Sequence, residues 1–292
     1  MHIPVLKKEV LEYLNPKENE NFVDCTVGHG GHAKAILEKT GPAGKVLGID
    51  SDLKQIEICQ SQLKEFKKRI ILASSSYTKI KEIVGKNKFK ADGVLLDLGM
   101  SSWHLENSER GFSFLKDEPL DMRYDTETNN LTAEEVINNW GQKEIEIILK
   151  EYGEERFAKE ISQKVIEERK RKPIKTTFQL VEIIKKAVPS QHERIHFATK
   201  TFQALRVAVN GELDNLKEVL PQIADVLEKN GRIAIISFHS LEDRIVKSFL
   251  KEKVKEGELK ILTKKPITPS FEEIKTNPRS RSAKLRAAIK IK

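Results

Sequence analysis

The stretch FVDCTVGHGGH (residues 22–32) decides the fold, together with KVLGID (residues 45–50), which follows it along the chain. The first stretch begins as a short apolar strand and ends in a turn that contains Gly28, Gly30 and Gly31. Such glycines let backbone amides approach a ligand closely, and an acid that closes the next strand, here Asp50, suits a ribose diol. The two stretches predict an adenosine-bearing cofactor at the carboxyl ends of a parallel sheet.

Strand and helix signals alternate through the first hundred residues. Short apolar runs predict strands at 21–26, 45–50, 69–73 and 93–98, and helix-like segments lie at 32–39, 53–66 and 77–84. Parallel strands that are covered on both faces read as such short apolar runs. The rhythm therefore predicts a doubly wound sheet with right-handed crossovers.

This alternation stops after residue 102. A polar loop with scattered aromatic residues runs to about residue 125, and helical stripes follow it. One stripe comprises Phe157, Ile161 and Val165, and the other comprises Leu180, Ile183, Ile184 and Ala187. Their spacing of three and four residues is typical of amphipathic helices.

The α/β pattern returns after residue 207. A long amphipathic helix over 213–227 is expected to end at Gly231, and strands are expected at 232–237, 259–265 and 285–291. The last two could form an antiparallel hairpin at the sheet edge. We therefore expect one discontinuous α/β domain, 1–105 with 208–292, interrupted by an inserted all-helical substrate-recognition domain, 106–207. Two consecutive domains are the alternative.

Charge points to a polyanionic partner. The chain has 292 residues, a formal net charge of +8 and a pI near 9.2. Residues 277–292 hold six lysines and arginines and no acid. A basic surface attracts nucleic acid, although a lysine-rich solvated surface would have the same composition.

Other residue classes argue against several functions. Cys25 and Cys59 are too few for a disulfide framework, and the histidines show no zinc pattern, so we expect no metal. His192 and His196 have no obvious third ligand and are interpreted as polar loop or helix-start residues. No apolar run reaches membrane-spanning length and no export signal is evident, so a cytoplasmic protein without membrane contact is expected.

The glycine turn alone leaves two cofactors open. Gly28, Gly30 and Ala33 also fit the looser GxGxxA form of nicotinamide enzymes. Two features favour S-adenosylmethionine: the fourth strand ends in an acid, Asp97, and the expected C-terminal hairpin is typical of class I methyltransferases.

Eight ordered motifs resemble a known family. They are DCTVGHGGH, LLDLGMSS, ERGFSF, PLDMR, YGEERFAK, TFQALRVAVN, SFHSLEDRIVK and NPRSRSAKLR. They resemble the RsmH (MraW) family, bacterial 16S ribosomal RNA cytosine-N4 methyltransferases that use S-adenosylmethionine. The resemblance covers nearly the whole chain. It implies a class I, Rossmann-like α/β fold with a mostly parallel seven-stranded sheet and an inserted helical domain. It also implies 16S rRNA of the small ribosomal subunit as partner.

The resemblance implies a set of cofactor contacts. They are Gly30, Gly31, His32, Asp50, Tyr77, Asp97 and His104. Tyr77 stands where the family usually has phenylalanine, and His104 stands where it commonly has glutamine.

The residues that would bind the target base do not form a recognised motif, so they are named individually as candidates. The Asp/Asn/Ser-Pro-Pro-aromatic tetrapeptide of many amino-methyltransferases is absent, and Asp97-Leu98-Gly99-Met100 stands in its place. Catalytic candidates are Asp97, Ser237, His239 and Asp121. RNA-binding candidates are Arg123, Trp140, Tyr152, Arg279, Arg281 and Arg286, with further phosphate contacts at Arg110, Arg194, Arg206 and Lys284. Either aromatic residue could instead be core, and His239 could instead cap a helix.

Two other functions stay open. One is a nicotinamide-dependent oxidoreductase that uses the same glycine turn, and the other is a non-catalytic RNA-binding assembly factor. A monomer and a homodimer are equally compatible with the sequence.

Overall fold

The computed structural model describes residues 3–189 and 196–292, and the chain divides into two compact units. One comprises residues 1–99 with 213–292 and is called the sheet unit below. The other, residues 100–212, is called the helical unit. The expected insertion, 106–207, falls inside the helical unit. The predicted contact Arg194 and the residue His192 lie outside the described residues.

The sheet unit is built on a seven-stranded sheet within the described residues. The strands are β1 Phe22–Asp24, β2 Val46–Asp50, β3 Ile70–Ser74, β4 Ala91–Asp97, β5 Leu227–Ser237, β6 Leu259–Ile261 and β7 Lys284–Lys290. Their order across the sheet is β3-β2-β1-β4-β5-β7-β6. The first five strands are parallel, and β7 is antiparallel to both β5 and β6. This confirms the mostly parallel seven-stranded sheet and the antiparallel hairpin at its edge.

The helices are numbered along the chain. They are α1 Lys7–Leu14, α2 Gly31–Lys39, α3 Leu53–Gln62, α4 Ile80–Lys86, α5 Ser102–Glu106, α6 Ala133–Asn139, α7 Gln142–Gly153, α8 Ala158–Arg169, α9 Thr177–Ala187, α10 Thr199–Asn210, α11 Glu212–Val226, α12 Ser240–Lys255 and α13 Phe271–Thr276. Short 3-10 turns lie at Lys64–Phe66, Tyr77–Lys79 and Pro278–Ser282. Helices α2, α3 and α4 alternate with the first strands as predicted.

Alternate residues of each strand enter two different cores. Val94 and Leu96 of β4 pack in a cluster with residues of α4, α11 and α12, whereas Leu95 packs with residues of α1, α2 and α3. Because both faces are covered, successive residues in the middle of a strand are apolar, as at 94–96 of β4. This is why the strands appear in the sequence as unbroken apolar runs.

The start of β5 differs from the prediction. Helix α11 ends at Val226, before Gly231, and Leu227 already pairs with Ala91 of β4. The register shifts before Arg232 pairs with Gly93. Leu227 is 3% exposed in the strand. Helical periodicity cannot identify such a residue as a strand residue, because burial satisfies its side chain in either structure.

The helical unit has a core of its own. Ile161, Val165, Leu180, Ile183 and Ile184 are all buried in it, as the stripes predicted. Phe157 and Ala187 are partly buried against the same cluster. Both stripes therefore face one hydrophobic core.

None of the helices in the described part of the chain is long and apolar enough to cross a membrane.

A glycine pair offers a test of this packing. A Cβ at Gly93 of β4 would lie 2.4 Å from Cε1 of Phe22, whereas a Cβ at Gly85 of α4 meets nothing within 4 Å. We expect Gly93→Ala to lower the free energy of unfolding by about 1–3 kcal/mol, the usual cost of overpacking. Gly85→Ala, the control, is expected to raise it by up to about 1 kcal/mol through helix propensity. Urea unfolding measures both, and equal effects would contradict the packing of β4 on Phe22.

Candidate cofactor site

Three acidic side chains lie at the carboxyl ends of neighbouring parallel strands. Asp24 ends β1 and pairs in register with Gly48 of β2 and Leu95 of β4. Asp50 and Asp97, which end β2 and β4, therefore each stand two residues beyond the partner of Asp24. Because the three strands are adjacent and parallel, their acids share one edge of the sheet.

The glycine turn connects this edge to α2. Gly28 and Gly30 adopt left-handed backbone conformations, with φ of 48° and 82°. The Gly28 N–H donates to Oδ2 of Asp50 at 3.0 Å, which ties the turn to the end of β2. A Cβ at Gly30 would lie 2.9 Å from Sγ of Cys59, so the turn packs tightly on α3. A Cβ at Gly28 would make ordinary van der Waals contacts, 3.8 Å from Oε1 of Gln55 and 3.9 Å from the Thr26 carbonyl.

Asp24 is buried at the centre of the edge. It is 1% exposed, and its Oδ1 accepts the Thr26 N–H at 3.2 Å. Desolvation is the largest cause that raises the pKa of this carboxyl to about 7; Asp97 and Asp50 add repulsion, and His32 opposes the rise. Its Oδ2 has no hydrogen-bond partner among the described residues.

Asp97 faces His32 of the glycine turn. His32 Nε2 lies 3.6 Å from Asp97 Oδ2, and the Asp97 N–H donates to Oγ1 of Thr26 at 2.8 Å. Asp97 Oδ1 is buried and has no hydrogen-bond partner within the described residues. Polar atoms left unpaired in a buried site usually await a ligand or water.

The charges at this edge select the type of ligand. Three carboxylates meet at this edge, with His32 facing one of them. They produce a negative potential, which favours a cation and disfavours the pyrophosphate of a nicotinamide dinucleotide. S-adenosylmethionine carries a sulfonium and an ammonium group, a ribose diol and a carboxylate. Backbone amides of the glycine turn suit the carboxylate. The residues present therefore fit this methyl donor.

Gln55 of α3 is a polar residue that the sequence motifs do not identify. It is fully buried, and neither its Oε1 nor its Nε2 has a hydrogen-bond partner in the described part of the chain. Its Oε1 lies 3.8 Å from the Cβ position of Gly28, so it borders the glycine turn. The sequence contains one indication of this residue, because the polar Gln55 interrupts the buried face of α3, which is otherwise formed by Ile56 and Cys59.

The other predicted cofactor contacts occupy defined places. Tyr77 begins the 3-10 turn after β3 and packs partly buried against the sheet. His104 belongs to the helical unit, where it is 5% exposed. Its Nδ1 accepts the Ser101 N–H at 3.2 Å, and its ring lies 5.1 Å from those of Phe112 and Tyr124. His104 therefore caps α5 and forms part of an aromatic cluster.

The two candidates after β5 have structural partners. Ser237 is 2% exposed and its hydroxyl donates to the Lys284 carbonyl at 3.4 Å. His239 precedes α12, and its Nε2 lies 3.1 Å from Oε1 of Glu242. Oε2 of Glu242 accepts the N–H groups of Phe238 and His239, which caps the helix.

The candidates in the helical unit are held by local contacts. Arg123 donates to both carboxylate oxygens of Asp121, at 2.9 and 2.7 Å, and to the Asn129 carbonyl at 2.8 Å. The pKa of Arg123 is raised by its hydrogen bond to Asp121. Trp140 and Tyr152 are partly buried against the core of this unit. Asp121 and Arg123 thus neutralise each other.

The C-terminal arginines divide into two kinds. Arg279 and Arg281 are exposed on the 3-10 turn that precedes β7. Arg286 is 9% exposed, and its Nε lies 2.6 Å from Oδ1 of Asp243 in α12. This buried ion pair lowers the pKa of Asp243 against the effect of desolvation. The guanidinium of Arg286 is therefore bound inside the fold and is not available to a phosphate.

Comparison with known proteins adds the family. The profile of the MraW methylase family matches residues 1–291. The chain belongs to this family. Relatives named Ribosomal RNA small subunit methyltransferase H include proteins from Thermotoga neapolitana, 48% identical over 98% of this chain and 95% of the relative, and Heliobacterium mobile, 45% identical over 99% of each. A third, from Kosmotoga olearia, is 48% identical over 99% of this chain and 97% of the relative.

Solved structures give weaker likenesses. An rRNA methylase from Streptococcus thermophilus matches with a TM-score of 0.47 at 10% identity, over 98% of this chain and 94% of that one. A SAM-dependent O-methyltransferase from Thermotoga maritima matches with a TM-score of 0.42 at 10% identity, over 98% and 64%. Neither match adds to the assignment.

Family membership settles the class of the enzyme. It confirms the predicted resemblance and, with the sheet topology, the class I methyltransferase fold. It also confirms S-adenosylmethionine, rather than a nicotinamide, as the cofactor of a methylase.

The raised pKa of Asp24 predicts a pH effect on stability. The carboxyl loses its proton near its ordinary pKa of 3.8 in the unfolded chain and near 7 in the folded protein. The folded state therefore binds more protons between these values, and a rise in pH over this range destabilises it through Asp24. Asp24→Asn removes this loss. We therefore compare the free energy of unfolding of the variant with that of wild type at each pH. We expect the difference, variant minus wild type, to be larger at pH 8 than at pH 5 by at least about 1 kcal/mol, since one pKa unit corresponds to about 1.4 kcal/mol.

Urea unfolding at pH 5 and pH 8 measures this difference. Asp225→Asn is the matched control, because Asp225 is an exposed carboxylate at the surface of α11. A pH effect of the same size in both variants would contradict the desolvation of Asp24.

Proposed function

We propose that this protein transfers a methyl group from S-adenosylmethionine to the exocyclic N4 amino group of a cytidine in 16S rRNA of the small ribosomal subunit. The observation that carries the proposal is the carboxylate-lined edge with its glycine turn in the sheet unit. The RNA target is supported by relatives that cover nearly the whole chain and are named for small-subunit ribosomal RNA. The choice of N4 of cytosine rests on the family resemblance.

Contacts to the donor are proposed from the family resemblance. The amides of Gly30 and Gly31 meet the methionine carboxylate, Asp50 accepts the ribose hydroxyls and Tyr77 borders the adenine. His32 belongs to the same turn and faces Asp97. Gln55 adds a buried amide beside Gly28.

When bound, S-adenosylmethionine supplies a methyl group that its sulfonium has already activated. The protein therefore contributes mainly by alignment, which can lower a barrier by roughly 7–11 kcal/mol. The N4 lone pair of cytosine is delocalised into the ring, so the nitrogen is a poor nucleophile. It becomes more tetrahedral and its protons more acidic as the new bond forms. An acceptor on an N–H is worth most at that stage.

Asp97 is the proposed acceptor. Its unpaired Oδ1 can take a hydrogen bond from the amino group, while its other oxygen faces His32. Ser237 and His239 follow at the end of β5, the neighbouring strand, where they would hold the loop that forms the wall of the site. The proposed role of both is positioning.

RNA contacts are proposed in both units. Arg279 and Arg281 are exposed in the sheet unit, and Asp121, Arg123, Trp140 and Tyr152 belong to the helical unit. The paired Asp121 and Arg123 would reach RNA only through the remaining N–H groups of the guanidinium. A ribosomal RNA substrate supports the proposal of a cytoplasmic protein.

Asp97→Asn tests the proposed acceptor. Asparagine keeps the size of the side chain, but its amide oxygen is a weaker hydrogen-bond acceptor than a carboxylate oxygen. We therefore expect the methylation rate with saturating donor and RNA to fall at least tenfold. General acid–base groups typically contribute about 10²–10⁴-fold to a rate. Labelled methyl transfer to small subunits from cells that lack the protein, followed by mass spectrometry of the nucleosides, measures the rate and identifies N4-methylcytidine.

Two outcomes of this experiment would count against the proposal. A normal rate in Asp97→Asn would remove Asp97 from catalysis. Calorimetry that shows donor binding by wild type, without any methylated nucleoside, would favour a non-catalytic assembly factor. Asp92→Asn is the control, because Asp92 accepts the Asn21 N–H at the opposite, amino end of β4.

A further inference from the structure

The basic turn between α8 and α9 is the densest run of uncompensated charge in the described chain outside the C-terminal strand. It holds Arg169, Lys170, Arg171, Lys172 and Lys175, and no acid occurs from residue 169 to residue 181. Five positive charges in seven residues are a large share of the formal net charge of +8. None of the family-like motifs includes this run.

Most of these cations face solvent. Lys170, Arg171, Lys172 and Lys175 are exposed, and Arg171 makes only a 3.7 Å contact with Glu168. No ion pair to Lys170, Lys172 or Lys175 is found among the residues that the structure describes. A cluster with so few acidic partners keeps most of its field, which attracts phosphates.

Much of the positive charge of the C-terminal run, residues 277–292, is engaged by partners within the fold. Arg286 is paired with Asp243, and Nζ of Lys284 lies 3.9 Å from the same carboxylate. Nζ of Lys290 donates to the carbonyls of Ala224 and Leu227. At least three of the six cations there are therefore engaged by the fold, which favours the basic turn as the anion-binding surface.

The backbone of the basic turn is anchored. Ile174 is 2% exposed, and it exchanges two hydrogen bonds with the side chain of Asn138, at 2.9 and 2.7 Å. The Leu120 N–H donates to the Lys175 carbonyl at 3.0 Å, and Arg169 donates to the Ile137 carbonyl at 2.7 Å. The cations therefore project from a fixed backbone, which lowers the entropy lost on binding.

Exposed apolar side chains stand beside the cations. Phe178, in the first turn of α9, is 45% exposed, and Leu115 is 74% exposed. The Phe178 N–H donates to Asp117 at 3.3 Å and Thr177 contacts Lys116, so the two segments adjoin. An exposed aromatic ring next to lysines is the arrangement that stacks on unpaired bases while cations hold the phosphates.

We propose that the basic turn, with Phe178, is an RNA-docking surface of the helical unit that binds the phosphate backbone of the substrate RNA. This inference rests on the proposed function for the identity of the RNA. Its lysines and Arg171 bind phosphates, and Phe178 stacks on an unpaired base.

A charge-matched pair of variants tests the proposal. The first replaces Lys170, Arg171, Lys172 and Lys175 with Gln. The control replaces Lys67, Lys68, Lys86 and Lys90 with Gln, four exposed lysines that precede β3 and β4 and so lie at the amino end of the sheet, opposite the cofactor edge. Both variants lower the net charge by four.

The readout is the affinity for small subunits and for their purified RNA at several salt concentrations. We expect the basic-turn variant to bind at least tenfold more weakly at low salt. We also expect its slope of log affinity against log salt to fall by about 2–4, since each phosphate contact contributes about 0.7–0.9. The control is expected to change affinity less than threefold. Equal losses in both variants, or none in the first, would overturn the proposal.

Phe178→Ala separates stacking from charge. We expect at least a threefold loss of RNA affinity with an unchanged salt slope, because stacking releases no counterions. Unchanged affinity would remove Phe178 from the surface.

Two controls separate this inference from the proposed function. S-adenosylmethionine binding, measured by calorimetry, is expected to be equal in all variants. If wild type methylates its RNA and the basic-turn variant behaves as the control does, only the docking surface is wrong. If wild type transfers no methyl group, the proposed function is wrong. The docking surface is also wrong only if the basic-turn variant binds RNA as tightly as wild type does.

Discussion

The cofactor edge depends on the register of three parallel strands. Because Asp24 pairs with Gly48 and Leu95, the acids that end β2 and β4 each project two residues further. Hydrogen bonds from Gly28 to Asp50 and from the Asp97 N–H to Thr26 fix that arrangement. A shift of the register by one residue would exchange the two faces of a strand and separate the carboxylates. The negative edge and its affinity for a cation both follow from this pairing.

Much of the sheet could be predicted because its signals are local. Apolar runs, glycine turns and acids at strand ends are visible in one stretch of sequence, and they indicate the strands around Asp24, Asp50 and Asp97. The beginning of β5 could not be predicted, since Leu227 suits a helix and a strand equally well. Helix α1 was not predicted either: only Val10 and Leu14 of its eight residues are buried, which gives a weak periodic signal.

Side-chain pairing adds information about the predicted RNA contacts that the sequence does not contain. Arg286 and Asp243 are far apart in sequence, and Arg123 is bound by Asp121 within one loop. Charge counts treat all such residues as free. Pairing in three dimensions engages part of the C-terminal run, which is why we propose the basic turn of the helical unit as an RNA-docking surface. Gln55 shows the opposite case, in which a residue without any sequence signature gains interest because burial leaves its amide unpaired among the described residues.

Proton release on cofactor binding is the most direct test of whether the carboxylates of the edge bind the sulfonium. The pKa of Asp24 stands at about 7, and a sulfonium beside this edge would lower it, so binding near pH 7 releases a proton. Calorimetry in buffers of different ionisation enthalpy gives the number of protons for S-adenosylmethionine and for S-adenosylhomocysteine, which lacks the sulfonium charge. We expect greater release with S-adenosylmethionine, and the difference is expected to vanish in Asp24→Asn. Equal release by the two ligands in wild type would contradict a carboxylate edge that binds the sulfonium.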